Sequence, residues 1–228
     1  MQKWLTNLKI ILKKSLDLIY PLNCVICKKK LNFDDGSYLC SECYSKIIKN
    51  KPPFSVKCDC SPVYFQRAWA VGKYTGIIKD LIHLFKYHRQ QYLSKPLGKL
   101  MVDFIKINLN WQIINVLVPV PLHPRKLRQR EFNQSELLAK EINKQISIPL
   151  ANALIRIKQT SSQTILPPEK RLSNIAGAFK TREQKEVAQK SILLIDDVFT
   201  SGATANECAR VLKQGGAKRV EVLALVGR

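Results

Sequence analysis

Apolar and polar positions alternate in blocks along the C-terminal part of the chain, and the blocks predict elements. Residues 191–195 (SILLI) form an unbroken run ended by two adjacent acids, Asp196 and Asp197. A short run rich in Ile and Leu predicts a buried strand. A small, hydroxyl-rich loop follows, and then Ala205, Cys208, Ala209 and Leu212 recur at helical spacing until Gly215 and Gly216 stop them. Residues 219–227 (RVEVLALVG) predict the next strand. Strand, loop, helix and strand in this order predict a βαβ unit with parallel pairing. Upstream, 116–120 reads as a buried strand whose exit Pro119, Pro121 and Pro124 hold extended. A helix follows from about Ser135 to Gln145. Residues 67–74 (RAWAVGKY) read as a strand. After Gly76 comes long helical patterning, with Ile77, Leu81, Leu84 and Phe85, then Leu97, Leu100, Met101 and Phe104. In 3–20, Trp4, Leu5, Leu8, Ile11, Leu12, Leu16 and Ile19 share one side of a basic amphipathic helix that Pro21 ends. Such a helix packs on its own domain more often than on a membrane or partner. Residues 156–179 show few helix or strand signals but several polar hooks (Arg156, Gln159, Thr160, Gln163, Arg171, Asn174), the pattern of a lid or binding loop.

The loop between the two C-terminal strands carries the strongest chemistry. In parallel sheets ligands bind at the carboxyl ends of the strands. There Thr200, Ser201, Gly202, Ala203 and Thr204 offer backbone N–H groups, hydroxyls and a helix N-terminus to an anion. Asp196 and Asp197 cannot serve the same phosphate and suit sugar hydroxyls or Mg²⁺ instead. Acid pair plus phosphate cradle describes a ribose 5-phosphate site. A P-loop needs Lys after its last Gly and a dinucleotide fingerprint needs G-x-G-x-x-G, and this segment has neither. A buried strand ending in a polar turn explains the apolar run but not two consecutive acids beside TSGAT. After the strand at 116–120, Arg125, Lys126, Arg128 and Arg130 place a guanidinium cluster on a rigid loop. That cluster suits pyrophosphate or nucleic acid, while a solvated loop is its bland reading.

Cys24-x2-Cys27 and Cys40-x2-Cys43 stand twelve residues apart, with a turn or hairpin expected around Gly36. Four thiolates at this double spacing fit a closed, tetrahedral and therefore structural Zn²⁺ site. A segment as small as 21–60 draws much of its folding energy from such a metal. Cys58-x-Cys60 reads as the remnant of another clamp, a substitute ligand or two surface thiols, and Cys208 as a buried small hydrophobe. The three histidines form no metal-ligand pair.

Composition narrows the class. With 228 residues the chain has room for one α/β domain and a small appendage. No apolar run reaches membrane-span length, and the N-terminus lacks a signal peptide's apolar core, so a cytoplasmic protein is expected. Without export, seven cysteines point to metal rather than disulfides. The net charge is +21, unevenly placed: 1–190 hold 33 basic and 13 acidic residues, whereas 191–228 hold 5 and 4. The basic excess therefore lies outside the sugar-phosphate segment. It favours nucleic acid, an anionic membrane surface or phosphorylated ligands, with lysine-rich solvation as the bland alternative.

The segment LLIDDVFTSGAT (193–204) resembles the 5-phosphoribosyl-1-pyrophosphate (PRPP) loop of type I phosphoribosyltransferases. By that resemblance Asp196 and Asp197 hold the ribose hydroxyls, and Thr200, Ser201, Gly202, Ala203 and Thr204 wrap the 5-phosphate. Three further motifs precede it in order: the four cysteines, VPVPLHPRKLRQREFNQSELLA (118–139) and IRIKQTSSQTILPPEKRLSNIAGAF (155–179). Together they make nearly the whole chain similar to the ComF family of competence proteins. The resemblance implies an α/β, type I phosphoribosyltransferase-like parallel sheet flanked by helices and preceded by a small four-cysteine zinc module. The expected division is a helix over 1–20, the module over 21–60 and the phosphoribosyltransferase-like domain over 61–228. It also implies a role in natural transformation, with single-stranded DNA and PRPP, accompanied by Mg²⁺, as ligands. Other DNA-uptake proteins and the inner membrane surface are further partners in that role. Arg125, Arg128 and Arg130 are the candidates for pyrophosphate or DNA. Phe132, Tyr64 and Trp69 are able to stack bases, although aromatics more often lie in a core. The alternatives are an active phosphoribosyltransferase using Mg–PRPP and a PRPP-sensing regulator without turnover. No residue set that would recognise a nucleobase or activate a nucleophile is identifiable in the sequence. One departure stands out: the family usually has Gly where this chain has Glu131, and Gly there allows φ > 0 or a close backbone approach.

Overall fold

A computed structural model describes residues 22–31, 38–50, 56–160 and 168–227. The helix expected over 3–20, the turn around Gly36 and Gln163 lie outside the described residues, as does the side chain of Arg171. The chain divides into two compact units, Met1–Ile47 and Ile48–Arg228. In the first, α1 (Ser41–Ser45) starts at Cys40, whose side chain accepts the Cys43 N–H.

The second unit runs β1 (Arg67–Lys73), α2 (Gly76–Tyr87), α3 (Ser94–Asn108), β2 (Val116–Pro119), α4 (Pro124–Arg130) and α5 (Gln134–Ile146). It continues with β3 (Leu154–Arg156), α6 (Pro168–Ile175), β4 (Phe179–Thr181), β5 (Ser191–Phe199), α7 (Ala203–Gln214) and β6 (Arg219–Gly227). Four strands form a parallel sheet in the order β1-β6-β5-β2. β3 and β4 form a separate antiparallel pair. The middle strands are buried along most of their length on both faces, which is why they read as continuous apolar runs rather than alternating ones. Ile192 and Leu194 of β5 join Val220, Val222, Cys208 and Ala209 in one core, and strand alternation sends Leu193 and Ile195 to the other face. Cys208 is fully buried there, as expected of a small hydrophobe.

Three local expectations change. β5 continues to Phe199, so the acid pair lies within the strand's last residues and not beyond its end: Asp196 pairs in register with Ala224, and Val198 with Val226. The basic stretch after β2 is the helix α4 and not an extended loop. Pro124 sits in its first turn, where a missing N–H costs nothing, and the His123 side chain accepts the Arg125 N–H at 3.3 Å. The stretch 156–179 holds α6 and parts of both strands of the β3–β4 pair. Among the described residues no helix is long and apolar enough to cross a membrane.

Candidate functional site

In the first unit, Cys24 and Cys27 sit on one tight turn. The Lys28 N–H donates to the Cys24 carbonyl at 2.9 Å, and Lys28 takes a left-handed φ of 62°. Cys40 caps α1 and Cys43 lies in its first turn, so the second pair faces the same point. The four ligand sulfurs lie within 4.8 Å of one another, and Cys27 and Cys40 Sγ are 3.6 Å apart. Zn–S bonds of about 2.3 Å in a tetrahedron need sulfurs about 3.8 Å apart. Electrostatics agrees with that fit. Burial would raise the Cys24 thiol, but N–H groups of Cys40, Cys27 and Ile26 outweigh it and bring it down to about 6. Burial and the neighbouring thiols push Cys43 up to about 12. The four cysteines are thus placed to hold a metal ion such as zinc, whose charge lets all four ionise together.

In the second unit, a cleft of about 170 Å³ opens at the carboxyl end of the sheet. Asp196, Asp197, Thr200 and Thr204 line it together with Lys86, Lys126, Arg130 and Arg156. Each acid has its own anchor. Asp197, only 8% exposed, receives Lys86 Nζ at 3.0 Å. Asp196 accepts the Ser135 hydroxyl at 3.1 Å and the Asp197 N–H at 2.8 Å. Burial, followed by the Asp197 charge, raises the Asp196 carboxyl to about 7. Two negative charges side by side need a cation or a proton.

The start of α5 holds the floor of the cleft together. Asn133 caps the helix by accepting the Ser135 N–H at 3.1 Å and donates back to the Val120 carbonyl at 3.0 Å. Gln134, 1% exposed, accepts from Arg130 at 3.1 Å and donates to the Phe85 carbonyl at 3.3 Å. Adjacent residues at this helix start thus anchor the Arg130 guanidinium and bring the Ser135 hydroxyl to Asp196.

The positive side is under-neutralised. Burial, followed by the charges of Arg156, Arg130 and Lys86, lowers the Lys126 ammonium. Burial also lowers Arg156, whose Nε is buried without a hydrogen-bond partner. In the phosphate loop the buried Ser201 hydroxyl is likewise unpartnered. Buried donors without acceptors are uncommon in folded proteins, and Arg156, which lines the cleft, fits an anion there. Gly202 adopts φ +81° at the N-cap of α7, so the loop presents its backbone at the positive end of a twelve-residue helix.

Ser201, Gly202 and Ala203 are buried in the loop, while Thr200 and Thr204 face the cleft. Of the three arginines singled out, Arg130 lines the cleft. Arg125 is exposed and donates to Gln159 at 3.1 Å, and Arg128 is exposed on α4. Lys126, a member of the basic cluster read after β2, lines the cleft as well, whereas Lys86, Gln134 and Ser135 were not among the sequence candidates. Their only trace was membership of basic or polar stretches around helices.

Cys58 and Cys60 are joined by a disulfide, an outcome outside the three readings of that pair. The segment bearing it lies against the phosphate loop, with the Asp59 N–H donating to the Ser201 carbonyl at 3.0 Å. Asn206 holds the following residues, accepting the Tyr64 N–H at 2.8 Å and donating to the Pro62 carbonyl at 2.9 Å.

Glu131 ends α4 in the left-handed region with φ 69°, and its carboxylate meets Arg89 at 2.9 Å. The left-handed φ accounts for the preference for Gly at this position. Glu131→Gly relieves a backbone cost of about 1 kcal/mol and loses an exposed ion pair contributing roughly 0–1 kcal/mol. The melting temperature is therefore expected to move little. Removing a carboxylate beside Arg130 is expected to tighten binding of inorganic pyrophosphate, measured by calorimetry. Unchanged or weaker binding would contradict this account of the residue.

A parallel sheet flanked by helices, with an acid pair, a glycine-bearing loop and a cation cluster at its carboxyl end, is a phosphoribosyltransferase-like α/β fold. Residues 133–228 match the phosphoribosyl transferase domain. Relatives match far more of the chain. Competence protein F of Haemophilus influenzae is 26% identical, covering 90% of this chain and 97% of that one. DNA utilization protein YhgH of Escherichia coli is 29% identical over 89% of this chain and 88% of its own. Competence protein ComFC of Streptococcus pneumoniae is 26% identical over 85% and 89%. Over most of its length the chain is thus similar to competence and DNA utilization proteins of the ComF type, and these relatives together with the matched domain support a ComF-family, type I phosphoribosyltransferase-like protein.

Proposed function

We propose that this protein acts in DNA uptake, binding single-stranded DNA through its basic surface and Mg–PRPP in the cleft, with zinc stabilising the N-terminal module. The DNA role follows the names of the relatives, competence protein F and DNA utilization protein. The observation supporting PRPP is the cleft itself, where two carboxylates face four cations and Arg156 Nε lacks a partner. In this reading Asp196 and Asp197 hold the ribose hydroxyls and the magnesium that accompanies PRPP. Thr200, Ser201, Gly202, Ala203 and Thr204 take the 5-phosphate, and Lys86, Lys126, Arg130 and Arg156 take the pyrophosphate. Magnesium supplies charge neutralisation between the acids and the pyrophosphate. Lys86, already paired with Asp197, is the group best placed to exchange that partner for phosphate oxygens.

The deciding experiment is calorimetry with Mg–PRPP on wild type and on Asp196→Asn/Asp197→Asn. Binding is expected for the wild type and a loss of at least tenfold for the double variant. Misfolding is checked through pH. The Asp196 pKa is raised, so the stability its neutral form contributes is complete below about pH 4 and lost as pH rises through about 7. Asp196→Asn alone is therefore expected to raise the melting temperature at pH 8 and to give no gain at pH 4. Wild-type affinity in the double variant sinks the PRPP site. Stoichiometric pyrophosphate release with a nucleobase, abolished in the double variant, makes the protein an active phosphoribosyltransferase instead.

A further inference from the structure

The last turn of α2 and the residues after it carry a group of aromatic rings at the mouth of the cleft. Tyr87 lines the cleft yet is 60% exposed, although large aromatic rings are ordinarily buried. The His83 ring lies 5.0 Å from Tyr87 and 5.5 Å from His88, both at tilted angles. The Arg130 guanidinium sits 5.5 Å from the Tyr87 ring centre. The neighbouring residue on the helix, Lys86, points inward to Asp197. One turn of helix therefore shows an ammonium to the cleft and a largely exposed ring to solvent, with a guanidinium over the ring. Phe132, a base-stacking candidate in the sequence, instead packs on the buried Phe85 with ring centres 5.5 Å apart. Trp69 is buried in β1.

We propose that Tyr87, flanked by His83 and His88, is a stacking platform for a base of single-stranded DNA whose phosphates contact the basic surface outside the cleft. Exposed aromatics alternating with cations are the recurring device for binding single strands, because every base has a π-face and every linkage a phosphate. The proposal rests on the reading that this protein binds single-stranded DNA, and it assigns the position where a base is held.

The test is fluorescence anisotropy with an oligothymidylate of about 15 nucleotides and an abasic strand of equal length. Tyr87→Ala is expected to weaken oligothymidylate binding about tenfold, with Tyr87→Phe matching the wild type. The slope of affinity against salt is expected to stay the same in both variants, since the ring contributes no phosphate contact. On the abasic strand, wild type and Tyr87→Ala are expected to bind alike. In Tyr87→Trp, the oligonucleotide is expected to quench the new indole and free thymine to leave it unaffected. Tyr87→Ala binding oligothymidylate as the wild type does would overturn the platform. So would an equal loss on the abasic strand, which points to a role through the fold. Quenching by free thymine as strong as by the strand would reassign the ring to a small acceptor pocket. Failure of the wild type to bind either strand would remove the DNA reading itself, a result separable from all of these.

Discussion

Purified protein is expected to carry about one zinc per chain, and Cys24→Ser to lose it together with the ordered backbone of the N-terminal unit. Cys24 is fully buried, and its sulfur accepts the Cys40 N–H at 3.5 Å. A serine oxygen is shorter-bonded, harder and rarely ionised, so it neither reaches the metal nor replaces a thiolate. Around the cluster the described residues of this unit bury few side chains, chiefly Leu39, Ile47 and the cysteines Cys24 and Cys43. These four side chains are too little apolar surface to hold the described residues of the unit by themselves. Structural zinc binding contributes on the order of 10–16 kcal/mol in small metal-dependent folds, which exceeds what those four buried side chains supply. Elemental analysis and limited proteolysis read the two effects separately. Zinc retained at full occupancy in both Cys24→Ser and Cys40→Ser would show that the cluster is not the metal site.

Gly202→Ala is the second large effect, expected to cost on the order of 2–4 kcal/mol of stability and to abolish measurable Mg–PRPP binding. A methyl group there would stand 2.7 Å from Cys58 Sγ and 2.7 Å from the Phe199 ring, at a φ of +81°. Neither neighbour can yield. Cys58 is tied to Cys60 by a disulfide, and Phe199 is 2% exposed in the core. The loop itself must move, taking Thr200 and Thr204 with it. Gly76→Ala is the matched control: its φ is +55°, but no atom lies within 4 Å of the added methyl. It is expected to cost only the backbone penalty of about 1 kcal/mol. Adding Cys58→Ala to Gly202→Ala is expected to recover part of the loss in a thermal melt. If the two glycine variants melt alike, crowding under the phosphate loop is not what requires glycine.

The segment from Ser191 to Gly227 was legible in the sequence because its determinants are local. Apolar runs set two strands, small residues set the loop, and a glycine pair stops the helix, all within one βαβ unit. The metal cluster was legible for the same reason, since each Cys-x2-Cys pair is brought together by one turn of backbone. The helix α4 was missed because three prolines and a run of cations read as an extended loop. Pro124 in fact opens a helix, where its lack of an N–H is harmless. Glu131 was legible as an exception, and its left-handed φ gives the reason. Tertiary structure alone decided which cations face the acids. Lys86 reaches Asp197 because the sheet order β1-β6-β5-β2 returns the chain after β1 to the end of β5. Arg156 joins them from the strand β3. Strand order is a property of packing between distant segments, and neither periodicity nor spacing along the chain encodes it. The same holds for the rings: Phe132 and Tyr87 are both aromatic residues within two positions of a basic one. Only the contact with Phe85 draws the first toward the core and leaves the second open at the cleft mouth.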